Sequence, residues 1–134
     1  MTADVLLVED DERNGTLIQL ALEPAGYVLS WARTVAEARR LLAEHLPKAI
    51  LLDLRLPDEP GHVVAREVRA MPGGDRVLIL AVSASVLEAN RRQALESGCD
   101  DFIEKPISPR ELLARVRAGM EERVEAPGRV EERA

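Results

Sequence analysis

The stretch Ala49-Ile50-Leu51-Leu52-Asp53-Leu54-Arg55-Leu56-Pro57 decides the fold. An unbroken apolar run stops abruptly on a carboxylate, and a loop with Pro57, Pro60 and Gly61 follows. A short continuous apolar run bounded by turn residues reads as a strand buried on both faces, as in a parallel sheet. Asp53 stands where that strand leaves the core.

The same unit recurs on either side. Val5–Val8 is a short apolar run, followed by Arg13–Ala25 with Leu17, Leu20 and Ala21 at helical spacing and Gly26 as a stop. Tyr27–Trp31 reads as a strand, and Thr34 with Glu37 forms a capping-box pattern ahead of Ala38, Leu41 and Leu42. Beyond Asp53, the spacing of Val63, Val64, Val68 and Met71 predicts a helix stopped by Pro72-Gly73-Gly74. Val77–Val82 is a strand, and Ser85 with Glu88 starts a helix running to Ser97 before Gly98. Phe102-Ile103 is a short last strand, and Ser108, Pro109 and Glu111 start a helix with Leu112, Leu113 and Val116 facing inward. Alternating strands and helices predict an α/β fold, a doubly wound parallel (βα)5 sheet. One domain over residues 1–119 is expected, with 120–134 a charged tail or linker that contains Pro127-Gly128.

Open parallel sheets carry their sites beyond the carboxyl ends of the strands. The first strand ends in Glu9, Asp10 and Asp11, the third in Asp53, the fourth in Ser83 and the fifth in Lys105-Pro106. The second ends in Trp31-Ala32-Arg33, with no carboxylate. The polar ends therefore belong to strands that are neighbours in the order 2-1-3-4-5. Clustered carboxylates repel and need a cation. Oxygen ligands without clustered His or Cys favour magnesium, which takes one or two carboxylates and binds phosphate oxygens. A carboxylate nucleophile, a metal, a hydroxyl and a lysine together suit transfer of a phosphoryl group to Asp53. Asp11 reads as the N-cap of the first helix.

Composition narrows the partners. The net charge of −6 lacks the basic surface that replaces counterions on nucleic acid. Cys99 alone excludes an internal disulfide and a cysteine-based zinc site, in keeping with a reducing cytoplasm, and it reads as packing next to the fifth strand. No apolar run approaches a membrane span, and Met1 leads into a strand-like run without a signal peptide. Of 18 basic residues only Lys48 and Lys105 are lysines, which follows a GC-rich codon bias and makes each lysine worth inspecting. His45, His62 and the Arg91-Arg92 pair read as surface groups, and Tyr27 and Trp31 as packing residues.

The set Val8-Glu9-Asp10-Asp11, Asp53-Leu54-Arg55-Leu56-Pro57, Ser83-Ala84 and Lys105-Pro106 resembles the response-regulator receiver family of two-component signalling. The resemblance covers roughly residues 3–119, and Ser83–Pro106 also resembles receivers attached to hybrid histidine kinases. Pro60 stands where the family often has an acid. The resemblance implies a flavodoxin-like fold in which Asp53 takes a phosphoryl group from a phosphohistidine on a histidine kinase or phosphotransfer protein. It implies Mg2+ held by Asp10 and Asp53, by Glu9 through water and by the backbone carbonyl of Arg55. Ser83 and Lys105 would hold the phosphoryl oxygens, and the Lys105-Pro106 peptide would be cis. Arg55 and Ser85 match positions that tune phosphoryl lifetime. Phe102 matches the switch aromatic that turns inward with Ser83, or is simply core. Such a protein catalyses only its own phosphorylation and dephosphorylation. It meets a downstream protein, or itself, through the fourth-helix, fifth-strand, fifth-helix face.

Four rivals stand beside this. A flavin carrier would need a Ser/Thr/Gly-rich phosphate loop after the first strand, where this chain has acids. A constitutive interaction module would lack the acceptor, the metal acids or the lysine. A stand-alone phosphate sink would share all of them but pass no signal to a surface. A DNA-binding output would have to lie outside this chain.

Overall fold

The computed structural model describes residues 3–84 and 87–125. Five parallel strands, β1 (Ala3–Val8), β2 (Tyr27–Ala32), β3 (Ala49–Asp53), β4 (Leu78–Ser83) and β5 (Asp101–Glu104), form one sheet in the order β2-β1-β3-β4-β5. They alternate with α1 (Glu12–Leu22), α2 (Val35–Glu44), α3 (His62–Arg69), α4 (Glu88–Glu96) and α5 (Pro109–Glu125). This is the expected doubly wound, flavodoxin-like α/β architecture. Helix α5 runs past residue 119, and residues 126–134 of the expected tail lie outside the described residues.

The apolar runs serve two cores at once because successive strand side chains point to opposite faces. Leu6, Val8, Ile50, Leu52, Ile79, Ala81 and Phe102 pack against α2, α3 and α4. Val5, Leu7, Ala49, Leu51, Leu80, Val82 and Ile103 pack against α1 and α5. Every residue of β3 and β4 is buried, which is why these segments carry no polar alternation.

Register fixes the height of the functional end. Val8 pairs with Leu52, Asp53 with Val82, and Ser83 with Glu104. Glu9 and Asp53, each one step beyond the Val8–Leu52 pair, are thus brought level. Lys105 lies one step beyond the Ser83–Glu104 pair. Arg69 secures the opposite end of β4, donating to the carbonyls of Gly98 (2.9 Å), Gly74 (2.7 Å) and Val77 (2.7 Å) and pairing with Asp100.

The helix signals hold with adjustments. Asp11 caps α1 by accepting from the Asn14 N–H (2.9 Å), and Thr34 caps α2 through the Glu37 N–H (3.0 Å). Glu37 reaches back to the N–H of Arg33 (2.9 Å). Ser108 accepts from Glu111 at the start of α5 (3.2 Å). Helix α1 ends at Leu22, and Glu23–Ala25, which contains Pro24, tightens into a 3-10 turn before the left-handed Gly26. Ser85 lies outside the described residues, and α4 begins at Glu88 behind Leu87, with no side-chain cap.

The inward face of α1 differs from the Leu17–Leu20–Ala21 expectation. Gly15, Ile18 and Leu22 are buried, Leu17 and Ala21 flank them, and Leu20 is 69% exposed. Ile18 and Leu20 stand about 200° apart around the helix, so burying one exposes the other. Trp31 sets the rotation by occupying the space above Gly15. A Cβ on Gly15 would fall 1.9 Å from Trp31 Cζ2.

Gly15→Ala is expected to destabilise the protein despite the roughly 1 kcal/mol gained in helix propensity. The Trp31 ring cannot yield easily, because its Nε1–H donates to the Glu9 carbonyl (2.8 Å) and Arg33 covers its face at 4.1 Å. Overpacking costs about 1–3 kcal/mol. Urea unfolding should show a net loss of up to about 2 kcal/mol, accompanied by a shifted Trp31 emission.

Candidate functional site

Glu9, Asp10 and Asp53 each bring a carboxylate oxygen within 4.8 Å of the others at the carboxyl end of the sheet. Glu9 and Asp53 are buried, and Asp10 is exposed. Local folding explains their placement. The β1 backbone continues in register past Val8, with the Glu9 N–H donating to Ala32 (2.9 Å) and the Trp31 indole holding the Glu9 carbonyl. Asp53 is the last residue of β3, and one of its oxygens accepts from the Arg55 N–H (3.0 Å).

Among the described residues a single ammonium answers these acids. Lys105 Nζ lies 3.0 Å from Glu9 Oε1 and 3.1 Å from Asp53 Oδ2, and its own side chain is only 15% exposed. The other Glu9 oxygen accepts from the Asp11 N–H (3.1 Å). Lys105 is aimed by its backbone, since its N–H donates to the Ser83 carbonyl (2.9 Å) and the Lys105-Pro106 peptide is cis, as the resemblance implied.

Three carboxylates against one ammonium leave the pocket net negative. Like charges about 4 Å apart repel by about 4 kcal/mol at an effective dielectric of 20. Burial, then the Asp53 charge, push the Glu9 carboxyl up to about 7, although Lys105 and the Asp11 N–H pull it down. Burial lowers the Lys105 pKa, but its contacts with Glu9 and Asp53 outweigh burial and hold it above its ordinary value. The donor set, hard oxygens without a clustered His or Cys, fits a small divalent cation such as Mg2+.

Ser83 ends β4, 1% exposed, one residue past the partner of Asp53. It lines a cavity of about 220 Å3 with Leu54, Arg55, Pro60, His62, Asn90 and Gln93. Thus Glu9, Asp10, Asp53, Arg55, Ser83 and Lys105 come together at one end of the sheet. Phe102 does not line this pocket. It lies in the core beneath α4, 7% exposed, with the Arg91 guanidinium 5.1 Å from its ring centroid. Arg91 therefore does more than solvate a helix face. His45 is a surface group paired with Asp4, His62 is half-buried, and Cys99 is buried with its thiol pushed up to about 12.

Sequence reasoning missed the fastening of the loop at residues 54–61. Asp58 accepts from the N–H groups of Val35 and Ala36 (3.0 Å each), and Arg39 grips Glu59 and Glu67. No local pattern links residues so far apart. The only signal was a run of acids in a turn.

Comparison with known proteins agrees with this geometry. The family profile described as response regulator receiver domain matches residues 5–117. The chain belongs to the response-regulator receiver family. It is 34% identical to a 14.6 kDa protein of Leptolyngbya boryana, over 84% of this chain and 86% of that one. It is 39% identical to the transcriptional regulatory protein GltR of Pseudomonas aeruginosa, over 85% of this chain and 47% of GltR. The receiver therefore spans about half the length of such regulators. A solved receiver domain of a Pseudomonas aeruginosa sensor histidine kinase, with a magnesium ion coordinated in its active-site cleft, superimposes with a TM-score of 0.82 at 33% identity. The match covers 90% of this chain and 99% of that one.

Charge imbalance at this receiver's pocket gives a prediction of opposite signs. Asp10 takes no part in the Lys105 pairing, so Asp10→Asn should relieve repulsion and raise the melting temperature of the metal-free protein by a few degrees. The same variant should lose the Mg2+-dependent rise expected of wild type, since cation binding to the native state would produce it. Thermal melts with and without Mg2+ test both signs.

Proposed function

We propose that this receiver takes a phosphoryl group onto Asp53 from a phosphohistidine donor and thereby switches a partner-binding surface. The observation that carries this is the state of Asp53. It is a buried carboxylate with one oxygen held by the Arg55 N–H and the other by Lys105, beside two further acids. An Asp53 oxygen attacks phosphorus, the donor's N–P bond breaks, and the imidazole leaves with the bonding pair and takes up a proton. Bound Mg2+ would neutralise charge on the transferring oxygens. Asp10 and Asp53 would ligate it directly, Glu9 through water, and Arg55 through its carbonyl. Lys105 moves from carboxylate pairing to phosphoryl pairing, and the Ser83 hydroxyl donates to a phosphoryl oxygen. Arg55, at the rim of the cavity, would tune the attack of water that ends the signal, with Ser85, which lies outside the described residues.

The donor in this reading is a histidine kinase or histidine phosphotransfer protein in the cytoplasm. Among the described residues no helix is long and apolar enough to cross a membrane. The chain turns over no external substrate, and its output runs through a protein contact at α4, β5 and α5 rather than through nucleic acid.

Incubation with Mg2+ and acetyl phosphate should add one phosphoryl group by intact-mass measurement, and Asp53→Ala should add none. Equal labelling of that variant overturns the assignment.

The new dianion at Asp53 attracts Ser83 and biases how β4, Phe102 and α4 pack, which shifts populations at the surface. With beryllofluoride, amide shifts should reach α4, β5 and α5 in wild type and contract toward the pocket in Phe102→Ala. Wild-type shifts confined to the pocket would favour a phosphate sink.

A further inference from the structure

The loop from Leu54 to Gly61 is closed at its neck and moored at its tip. At the neck, Gly61 N–H donates to the Leu54 carbonyl (2.9 Å), and Arg55 bridges to Pro60. Gly61 also lies against Asp53 so closely that a Cβ there would sit 2.0 Å from the Asp53 carbonyl oxygen. At the tip, Asp58 accepts two N–H groups at the start of α2. The Arg39 guanidinium takes both Glu59 oxygens (2.5 and 3.1 Å) and both Glu67 oxygens (2.9 and 2.6 Å), so one side chain of α2 spans the loop and α3.

These ion pairs are about 40% exposed, where such pairs add about 0–1 kcal/mol to stability. Global stability is thus a poor explanation for these three charged side chains. What they do fix is the path of the chain between Asp53 and Gly61, and Arg55 lies on that path.

We propose that Arg39 and Asp58 are positioning residues for the metal pocket, holding Arg55 in the geometry that a small divalent cation requires. The proposal rests on the Mg2+ reading above. Magnesium demands a near-ideal octahedron, whereas calcium tolerates irregular shells of six to eight oxygens. A loosened loop should therefore weaken Mg2+ more than Ca2+, an asymmetry that general destabilisation would not produce.

The test is an amide chemical-shift titration of the full chain with Mg2+ and with Ca2+, on wild type, Arg39→Ala, Arg39→Lys, Asp58→Ala and Asp58→Asn. Arg39→Ala and Asp58→Ala should weaken Mg2+ by about tenfold, the low end for losing an outer partner of a metal ligand, and Ca2+ by less than about threefold. Arg39→Lys should not rescue, since an ammonium cannot fork onto two carboxylates. Asp58→Asn should rescue in part, through its remaining carbonyl acceptor. In the metal-free protein, the Gly61 amide should exchange faster in both alanine variants, while the melting temperature barely moves in Arg39→Ala. Wild-type Mg2+ affinity in both alanine variants, or equal loss of both cations, overturns the positioning role while leaving the metal reading intact. Failure of wild type to bind Mg2+ overturns both.

Discussion

Two carboxylates buried beside a third, with one ammonium between them, form the constraint on which this molecule turns. Glu9 and Asp53 are almost wholly removed from water, and each shares the same Lys105. Desolvating a charge is costly unless it is paired and hydrogen-bonded. Here pairing is incomplete, and burial, then the neighbouring Asp53 charge, push the Glu9 carboxyl up to about 7. A site left short of positive charge and lined by carboxylate oxygens fits a small divalent cation. The sheet makes this tolerable, since β1, β3 and β4 are held by ladders on both sides and by two cores.

The fold was legible because its signals are local. Apolar runs ending on polar residues gave the strands, and Asp11, Thr34 and Ser108 capped the helices where their sequence context placed them. The pocket was legible for a related reason. In a parallel sheet the carboxyl ends converge on one edge, so residues distant in sequence meet without any pairwise signal being needed. The rotation of α1 was not legible. Leu20 is as apolar as Ile18, and the Trp31 ring packed above Gly15 is a contact that local spacing does not show. The mooring of residues 54–61 was hidden too, because Arg39, Asp58, Glu59 and Glu67 look like ordinary solvated charges until α2 and α3 are brought side by side.

The two walls of the pocket are held unequally, and this bears on where a charge change can travel. On the β3 side the loop is closed by Gly61, capped onto α2 by Asp58 and forked by Arg39. On the β4 side, α4 starts without a side-chain cap behind Leu87 at 64% exposure, buries only Ala94 among its residues, and carries Leu95 at 45% exposure. Segments with few buried apolar contacts open at the least free-energy cost. In the proposed phosphorylated state a dianion on Asp53 would pull on both walls, the β3 wall carrying the Asp58 and Arg39 contacts and α4 the stacking of Arg91 on Phe102 and the packing of Ala94. On that reading, displacement would be directed through Ser83 toward α4, because the stiffer fastening lies on the β3 side of Asp53.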